Sequence, residues 1–150
     1  VARRELLVEC PFDTKLATAE DRDVWIRLLQ RTSITLLEDA LCRVGYSPQS
    51  LSHVNIDLDS RCMLQVIDRY ADALGPRVTR REAACVHYRW AVGSPSPTAA
   101  LRHWLRSMTM WPWPFDRSQV RVRFARLRTL LALARRICGT SGSVMYWRAT

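Results

Sequence analysis

The sequence predicts an all-α protein, a compact single-domain bundle of about six or seven helices over residues 1–150. Apolar residues recur at three- and four-residue steps along most of the chain, the spacing of amphipathic helices. Hydroxyl residues followed by an acid or a proline mark several helix starts. No alternating strand pattern of convincing length occurs. With 150 residues, of which 48% are hydrophobic and 25% charged, the chain is long enough to bury one globular core.

Two helical segments are predicted before residue 46. The segment Arg3–Cys10 is short and ends at the proline that follows it. Thr18, with an acid at the third position after it, forms a capping box for the next segment. This segment runs to Val44 with a weak point at 32–35, and Gly45 supplies its stop. Its amphipathic stripe consists of Trp25, Leu28, Leu29, Leu36, Leu37, Ala40, Leu41 and Val44.

Three further helix starts are predicted between residues 47 and 93. Ser47, followed by a proline, opens a short turn. Asp59 begins a helix that Gly75 and the next proline stop. Thr79 forms a second capping box, for a helix through Val92. The stripe of the helix that begins at Asp59 consists of Met63, Val66, Ile67, Tyr70 and Leu74.

Two helices are predicted in the last third of the chain. Thr98 caps the first, and Ser118 caps the second, which ends at Cys138. The segment 111–115 alternates tryptophan with proline and cannot be helical in its middle. The predicted apolar faces are Leu101, Trp104, Leu105 and Met108 in the first helix and Val120, Phe124, Leu127, Leu131 and Ala134 in the second.

Charge divides the sequence into two unlike halves. Residues 1–75 carry nine basic and twelve acidic side chains, a net charge of −3, whereas residues 76–150 carry 14 arginines and two acids, a net charge of +12. This asymmetry predicts an acidic partner: an acidic protein surface or helix, a nucleic acid, or a membrane head-group layer contacted peripherally. No run approaches the ~18 apolar residues of a membrane span, so no transmembrane segment is predicted.

The potentially reactive residues do not form a recognisable catalytic or metal motif. Five widely spaced cysteines without a Cys-x-x-Cys pair are interpreted mostly as small buried hydrophobic residues in a reducing compartment. His53, His87 and His103 have no ligand-spaced neighbours and are interpreted as surface or interfacial side chains. The sequence therefore predicts a protein that is not an enzyme, has no cofactor or metal, and is intracellular, in the cytoplasm or nucleus, or in a host cell if it is viral or an effector.

Arginines on the final helix and nearby tryptophans suit a nucleic acid, because guanidinium groups bind phosphates and indole rings stack on bases. The alternative interpretations are a solvated arginine face and tryptophans that close the end of a helical bundle. The candidate nucleic-acid-binding residues are Arg117, Arg121, Arg123, Arg128, Arg135 and Trp113.

Four short segments share an order with the motifs of one known family. Arg4–Glu9 reads Arg-Glu-Leu-Leu-Val-Glu, and Ala40–Gly45 reads Ala-Leu-Cys-Arg-Val-Gly. Gly75–Val78 contains a Gly-Pro-Arg sequence, and Trp104 precedes Trp111 by seven residues. In this order the segments resemble the N-terminal homology motif, the death motif, the Asn-Trp-Gly-Arg signature and the paired tryptophans of the B-cell-lymphoma family of apoptosis regulators.

The resemblance implies a helical bundle whose hydrophobic groove accepts an amphipathic death-motif helix, with Arg77 as the ion-pair partner of an aspartate on that helix. The partner-binding residues that it implies are Leu41, Gly45, Val66, Tyr70, Arg77, Trp104 and Trp111. Two other functions stay open: a basic helical nucleic-acid-binding protein, and a helical effector or adaptor, since residues 45–48 resemble a loop of oomycete helical effectors.

Overall fold

The computed structural model describes residues 2–33, 35, 55–115 and 125–139. Of these residues 72% are helical and none lies in a strand, which confirms the all-α prediction. The chain divides into two compact units, Val1–Leu74 and Gly75–Thr150. The single-domain organisation predicted over 1–150 stays a prediction.

The described helices of the Val1–Leu74 unit are α1 (Arg4–Glu9), α2 (Glu20–Leu29), α3 (Ile56–Arg69) and α4 (Ala71–Leu74). Two buried clusters hold this unit together, because α2 contributes side chains to both of them. One cluster, between α1 and α2, contains Cys10, Val24 and Leu28, with Ala2 and Leu6 packed against it. The other, between α2 and α3, contains Leu16, Ala19, Cys62 and Val66, with Ile26, Met63 and Tyr70 at its edge.

A buried carboxylate also joins α2 to α3. Asp23 is 1% exposed, and its Oδ1 accepts hydrogen bonds from Arg69 Nη1 at 2.7 Å and from the Tyr70 hydroxyl at 2.9 Å. Its Oδ2 accepts one from Arg27 Nε at 2.9 Å. Burial, and then the neighbouring Asp23, raise the pKa of Tyr70. The carboxylate therefore has three protein donors in place of water, as a buried charge requires.

The described helices of the Gly75–Thr150 unit are α5 (Pro76–Gly93), α6 (Pro97–Met110) and α7 (Ala125–Ile137). The loop between α5 and α6 has only three residues, so the two helices form an antiparallel hairpin in which Ser107 meets Ala84. α7 packs antiparallel to α6, because Trp104 contacts Arg126 near the start of α7. The core consists of Ala91, Ala100, Trp104 and Leu133, with Tyr88, Met108 and Leu130 packed against it.

Three predicted helix caps are wrong. α2 begins at Glu20 after Ala19, and the buried hydroxyl of Thr18 has no hydrogen-bond partner in the described part of the chain. Thr79 lies inside α5, where its hydroxyl donates to the Gly75 carbonyl at 2.9 Å. α5 and α6 instead start at prolines, because the fixed φ of proline suits the first helical position, where no N–H is needed. Ser96, and not Thr98, caps α6.

The helix predicted to begin at Asp59 begins at Ile56, because the Asn55 side chain accepts the hydrogen bond of the Leu58 N–H. Its predicted stripe is confirmed at Val66 and Ile67, which are buried. Gly75, at φ 75°, separates Leu74 from Pro76, so the predicted stop is confirmed. The predicted Gly45 stop and the turn at Ser47 lie outside the described residues.

One predicted apolar face is wrong in part and another is wrong. In α2, which ends at Leu29, the predicted stripe is confirmed at Leu28, which is buried, but Trp25 and Leu29 are exposed. In α7 the predicted face is turned outward, with Leu127 and Leu131 half exposed, whereas Leu133 is buried. Leucines occur at helical spacing on two sides of this helix, and packing selected the side that also carries Arg126. Val120 and Phe124 of the predicted face, and the start predicted at Ser118, lie outside the described residues.

The interpretation of the cysteines as small buried residues holds in part. Four cysteines are described, and all four are free thiols. Cys10 and Cys62 are buried in the Val1–Leu74 unit, Cys85 is half-buried and Cys138 is exposed. Cys42 lies outside the described residues.

Candidate interaction surface

The outward side of α6 is an open apolar surface flanked by arginines, named the α6 face below. Its leucines, Leu101 and Leu105, lie one helical turn apart, and Leu105 is 50% exposed. The opposite side of the helix is buried, which fixes the direction in which the face points. The α6 face is lined by Thr98, Leu101, Arg102, Leu105, Arg106 and Thr109, and the buried side by Ala100, His103, Trp104 and Ser107.

The α6 face is positively charged and its charges are available. Arg102 and Arg106 are exposed, and neither guanidinium makes a hydrogen bond or an ion pair with any residue that the structure describes. Glu82, the acidic residue of α5, lies on a different helix from Arg102 and Arg106, and it accepts a hydrogen bond from Arg81 at 3.0 Å. Arg128 and Arg135 of α7, in contrast, already have interactions of their own. The two α6 arginines can therefore pair with carboxylates of a partner.

A buried polar cluster holds α6 against α5. Ser107 Oγ donates to the Ala84 carbonyl at 2.7 Å. His87 and His103 are both buried, and their Nδ1 atoms lie 3.1 Å apart. The Trp90 ring stacks on His103 with ring centroids 3.9 Å apart. Burial, and then the neighbouring charges of His103 and Arg106, lower the pKa of His87 to about 4, so this imidazole is neutral at pH 7.

An arginine enclosed by aromatic rings holds α7 in place. The Arg126 guanidinium lies 4.1 Å from the Phe115 ring centroid and 5.7 Å from that of Tyr88. It also donates hydrogen bonds to the Trp111 carbonyl and, at 3.3 Å, to Ser107 Oγ. Burial lowers the pKa of this guanidinium. The half-buried Arg126 guanidinium is therefore engaged by contacts within the unit.

The residues implied by the family resemblance occupy different places. Val66 is fully buried in the core of the Val1–Leu74 unit, and Tyr70 is held by Asp23 in the same unit. In the Gly75–Thr150 unit Trp104 belongs to the core. The exposed guanidinium of Arg77 lies 5.9 Å from the Trp111 ring, so these two residues are brought together. Leu41 and Gly45 lie outside the described residues.

Three of the candidate nucleic-acid-binding residues are exposed. The Trp113 side chain is 69% exposed and lies between two prolines in the segment that follows α6. Arg128 and Arg135 are exposed on α7. Arg117, Arg121 and Arg123 lie outside the described residues.

Sequence reasoning missed two features of this unit. The predicted apolar face of α6 groups Leu101 and Leu105 with Trp104, but the indole lies in the core, whereas Leu105 is half exposed and Leu101 partly exposed. The repeated Leu-Arg pair at a four-residue spacing, Leu101-Arg102 and Leu105-Arg106, is the signal for an outward amphipathic strip. The surface interpretation of His87 and His103 is wrong as well, because each ring satisfies the other inside the hairpin.

Comparisons with protein-family models, with curated proteins and with solved structures found no match to this chain. Among the described residues, no group of three or more histidine, cysteine or acidic side chains could hold a metal ion. Within the same residues, no helix has the length and apolar character needed to cross a membrane.

Proposed function

We propose that the protein is a helical interaction protein, not an enzyme, and that its α6 face binds an acidic amphipathic helix of a partner protein. The observation that carries this proposal is an exposed leucine, Leu105, with the partly exposed Leu101 one turn before it, beside two arginines that have no partner among the described residues. Helix recognition depends on apolar anchors at three- and four-residue steps, and Leu101 and Leu105 offer that spacing. The charged rim adds orientation and a faster association rate.

The resemblance to the apoptosis regulators supports a narrower form of this proposal, in which the partner is a death-motif helix inside a cell. The Arg77 guanidinium, which the resemblance implies as the partner of an aspartate on such a helix, is exposed. The Arg77→Ala variant separates the two forms of the proposal. The narrower form predicts that this variant binds death-motif peptides more weakly than the wild type does, while its binding of other acidic amphipathic peptides is unchanged. The broader form predicts no such selective loss.

Replacing Leu101 and Leu105 with alanine should weaken binding of an acidic amphipathic peptide about 10- to 100-fold. The reason is that the two alanines bury much less apolar area against the peptide than the two leucines do. The measurement is fluorescence anisotropy of a labelled peptide with leucines and glutamates at four-residue spacing. Leu127→Ala/Leu131→Ala is the control, since these two leucines are 50% and 52% exposed and also lie one turn apart, on another helix. Equal weakening in both variants would contradict the assignment to α6.

A second candidate function is binding of single-stranded nucleic acid, and the exposed Trp113 favours it. Prolines on both sides restrict the backbone that presents this ring, and exposed indole rings can stack on unpaired bases. Arg77 beside Trp111 places a guanidinium near the same segment.

If this second function holds, Trp113→Ala should weaken binding of a labelled oligonucleotide about 5- to 100-fold, because stacking contributes about 1–3 kcal/mol per base. Arg128→Gln/Arg135→Gln should lower affinity for all sequences alike and reduce the slope of log K against log salt by about 2. Trp25→Ala removes a comparably exposed indole from the other unit and serves as the control. Absence of oligonucleotide binding at low salt would end this candidate.

A further inference from the structure

The outward side of α1 has the chemistry that the α6 face requires. Val8 is 70% exposed, more than any other large hydrophobic side chain that the structure describes, and Phe12 just beyond the helix is 57% exposed. Arg4, Glu5 and Glu9 line this side of α1 together with Val8. Leu6 packs inward against the buried cluster around Cys10, so α1 is anchored with its apolar side chain, two carboxylates and one guanidinium in solvent.

The two surfaces match in the spacing of their charges. Glu5 and Glu9 are four residues apart, as are Arg102 and Arg106, and four residues of helix span about 6 Å. Each charged pair borders an exposed apolar side chain, Val8 in one case and Leu105 in the other. The existing ion pair of Glu9 with Arg31 spans 3.4 Å between two mostly exposed side chains, and such pairs are weak enough to exchange.

We propose that the α6 face of one molecule binds α1 of a second copy of this chain. This inference rests on the proposed function, since it names the acidic amphipathic helix that the α6 face takes. Pairing removes Val8 and the α6 leucines from water together, and it sets the carboxylates of Glu5 and Glu9 against the guanidinium groups of Arg102 and Arg106. The contact is heterologous, because a surface of one copy meets a different surface of the next.

Charge exchange between two variants tests this contact. Glu5→Arg/Glu9→Arg makes both surfaces basic, and Arg102→Glu/Arg106→Glu makes both acidic, so each variant alone should self-associate at least tenfold more weakly than wild type. An equimolar mixture of the two should associate again, because each supplies the surface that the other lacks. The measurement is sedimentation velocity over a range of protein concentrations at low and high salt.

The variant that carries all four substitutions should also associate, because its α1 surface is then basic and its α6 face acidic. Such association would show that the charges act as pairs. Arg61→Glu/Arg80→Glu makes the same charge change at exposed arginines outside both surfaces and should leave association unchanged. A monomeric wild-type protein that still binds the acidic peptide at α6 would overturn this inference and leave the proposed function standing. A wild-type protein that is monomeric and binds no peptide would contradict both this inference and the proposed function. If the wild type associates and the two charge-exchange variants associate equally well, the contact lies elsewhere and this inference is wrong.

Discussion

Lowering the pH from 7 to 4 is expected to destabilise the Gly75–Thr150 unit by about 3 kcal/mol through the buried histidine pair. The pKa of His87 is lowered to about 4 in the folded chain, against an ordinary value of 6.5. Between pH 6.5 and pH 4 the unfolded chain binds more protons than the folded chain. The contribution of the histidine pair to the free energy of unfolding is therefore complete above pH 6.5 and decreases as the pH is lowered to about 4. A proton on each Nδ1 would also abolish the hydrogen bond between the rings.

Urea unfolding at a series of pH values, followed by tryptophan fluorescence, measures this loss. The control is His87→Phe/His103→Leu, an apolar pair of similar volume that cannot titrate, in which the pH dependence between 6.5 and 4 should flatten. Subtracting the pH dependence of the control's stability removes the contribution of carboxylates that titrate in the same pH range. Curves of the same steepness in both proteins would show that the pair does not sense acid.

Replacing Asp23 with alanine is expected to lower the free energy of unfolding of the Val1–Leu74 unit by about 3 kcal/mol. Asp23 is 1% exposed, and it accepts hydrogen bonds from Arg27, Arg69 and Tyr70. Its removal leaves two guanidinium groups and a hydroxyl without their acceptor, and it opens a gap between α2 and α3. Arg69 retains Asp13 at 3.0 Å, which keeps the loss below that of a fully orphaned buried charge.

Thermal and urea unfolding measure this effect, with Asp21→Ala as the matched control on the same helix. Asp21 is exposed, and among the described residues its carboxylate accepts a hydrogen bond from the N–H of the next residue alone, so its loss should change stability by less than about 0.5 kcal/mol. Equal effects of the two substitutions would mean that the Asp23 network does not stabilise the unit.

The helical class and several helices could be predicted because they follow from local spacing, whereas helix ends depended on competing local signals. Thr79 satisfies the pattern of a capping box, but Pro76 three residues earlier fixes the backbone for the first turn and so begins the helix. The same competition placed the start of α6 at Pro97 and not after Thr98. In α5 and α6 the proline occupies the start of the helix, and in α6 the hydroxyl residue directly before it, Ser96, is the cap.

The α6 face and the histidine pair could not be predicted, because both depend on which side of a helix meets its neighbour. Trp104 and Leu105 are adjacent in sequence and equally suitable for a core, and only the tertiary packing shows that the indole is inside. His87 and His103 are 16 residues apart, and their contact requires the hairpin to be aligned in one register. The arginine-rich character of the unit, by contrast, is a property of composition and was evident from the start.

The positive charge of the Gly75–Thr150 unit comes from arginine alone, since Lys15 is the one lysine of the chain. Guanidinium groups stay protonated at every pH at which a protein is folded, so the charge on the α6 face is permanent. Acetylation, which neutralises lysine side chains, has no lysine target in this half of the sequence. The binding strength of this surface can instead be changed by ionic strength, by arginine methylation, which blocks bidentate hydrogen bonds but keeps the charge, or by added negative charge such as phosphate on Thr98 or Thr109.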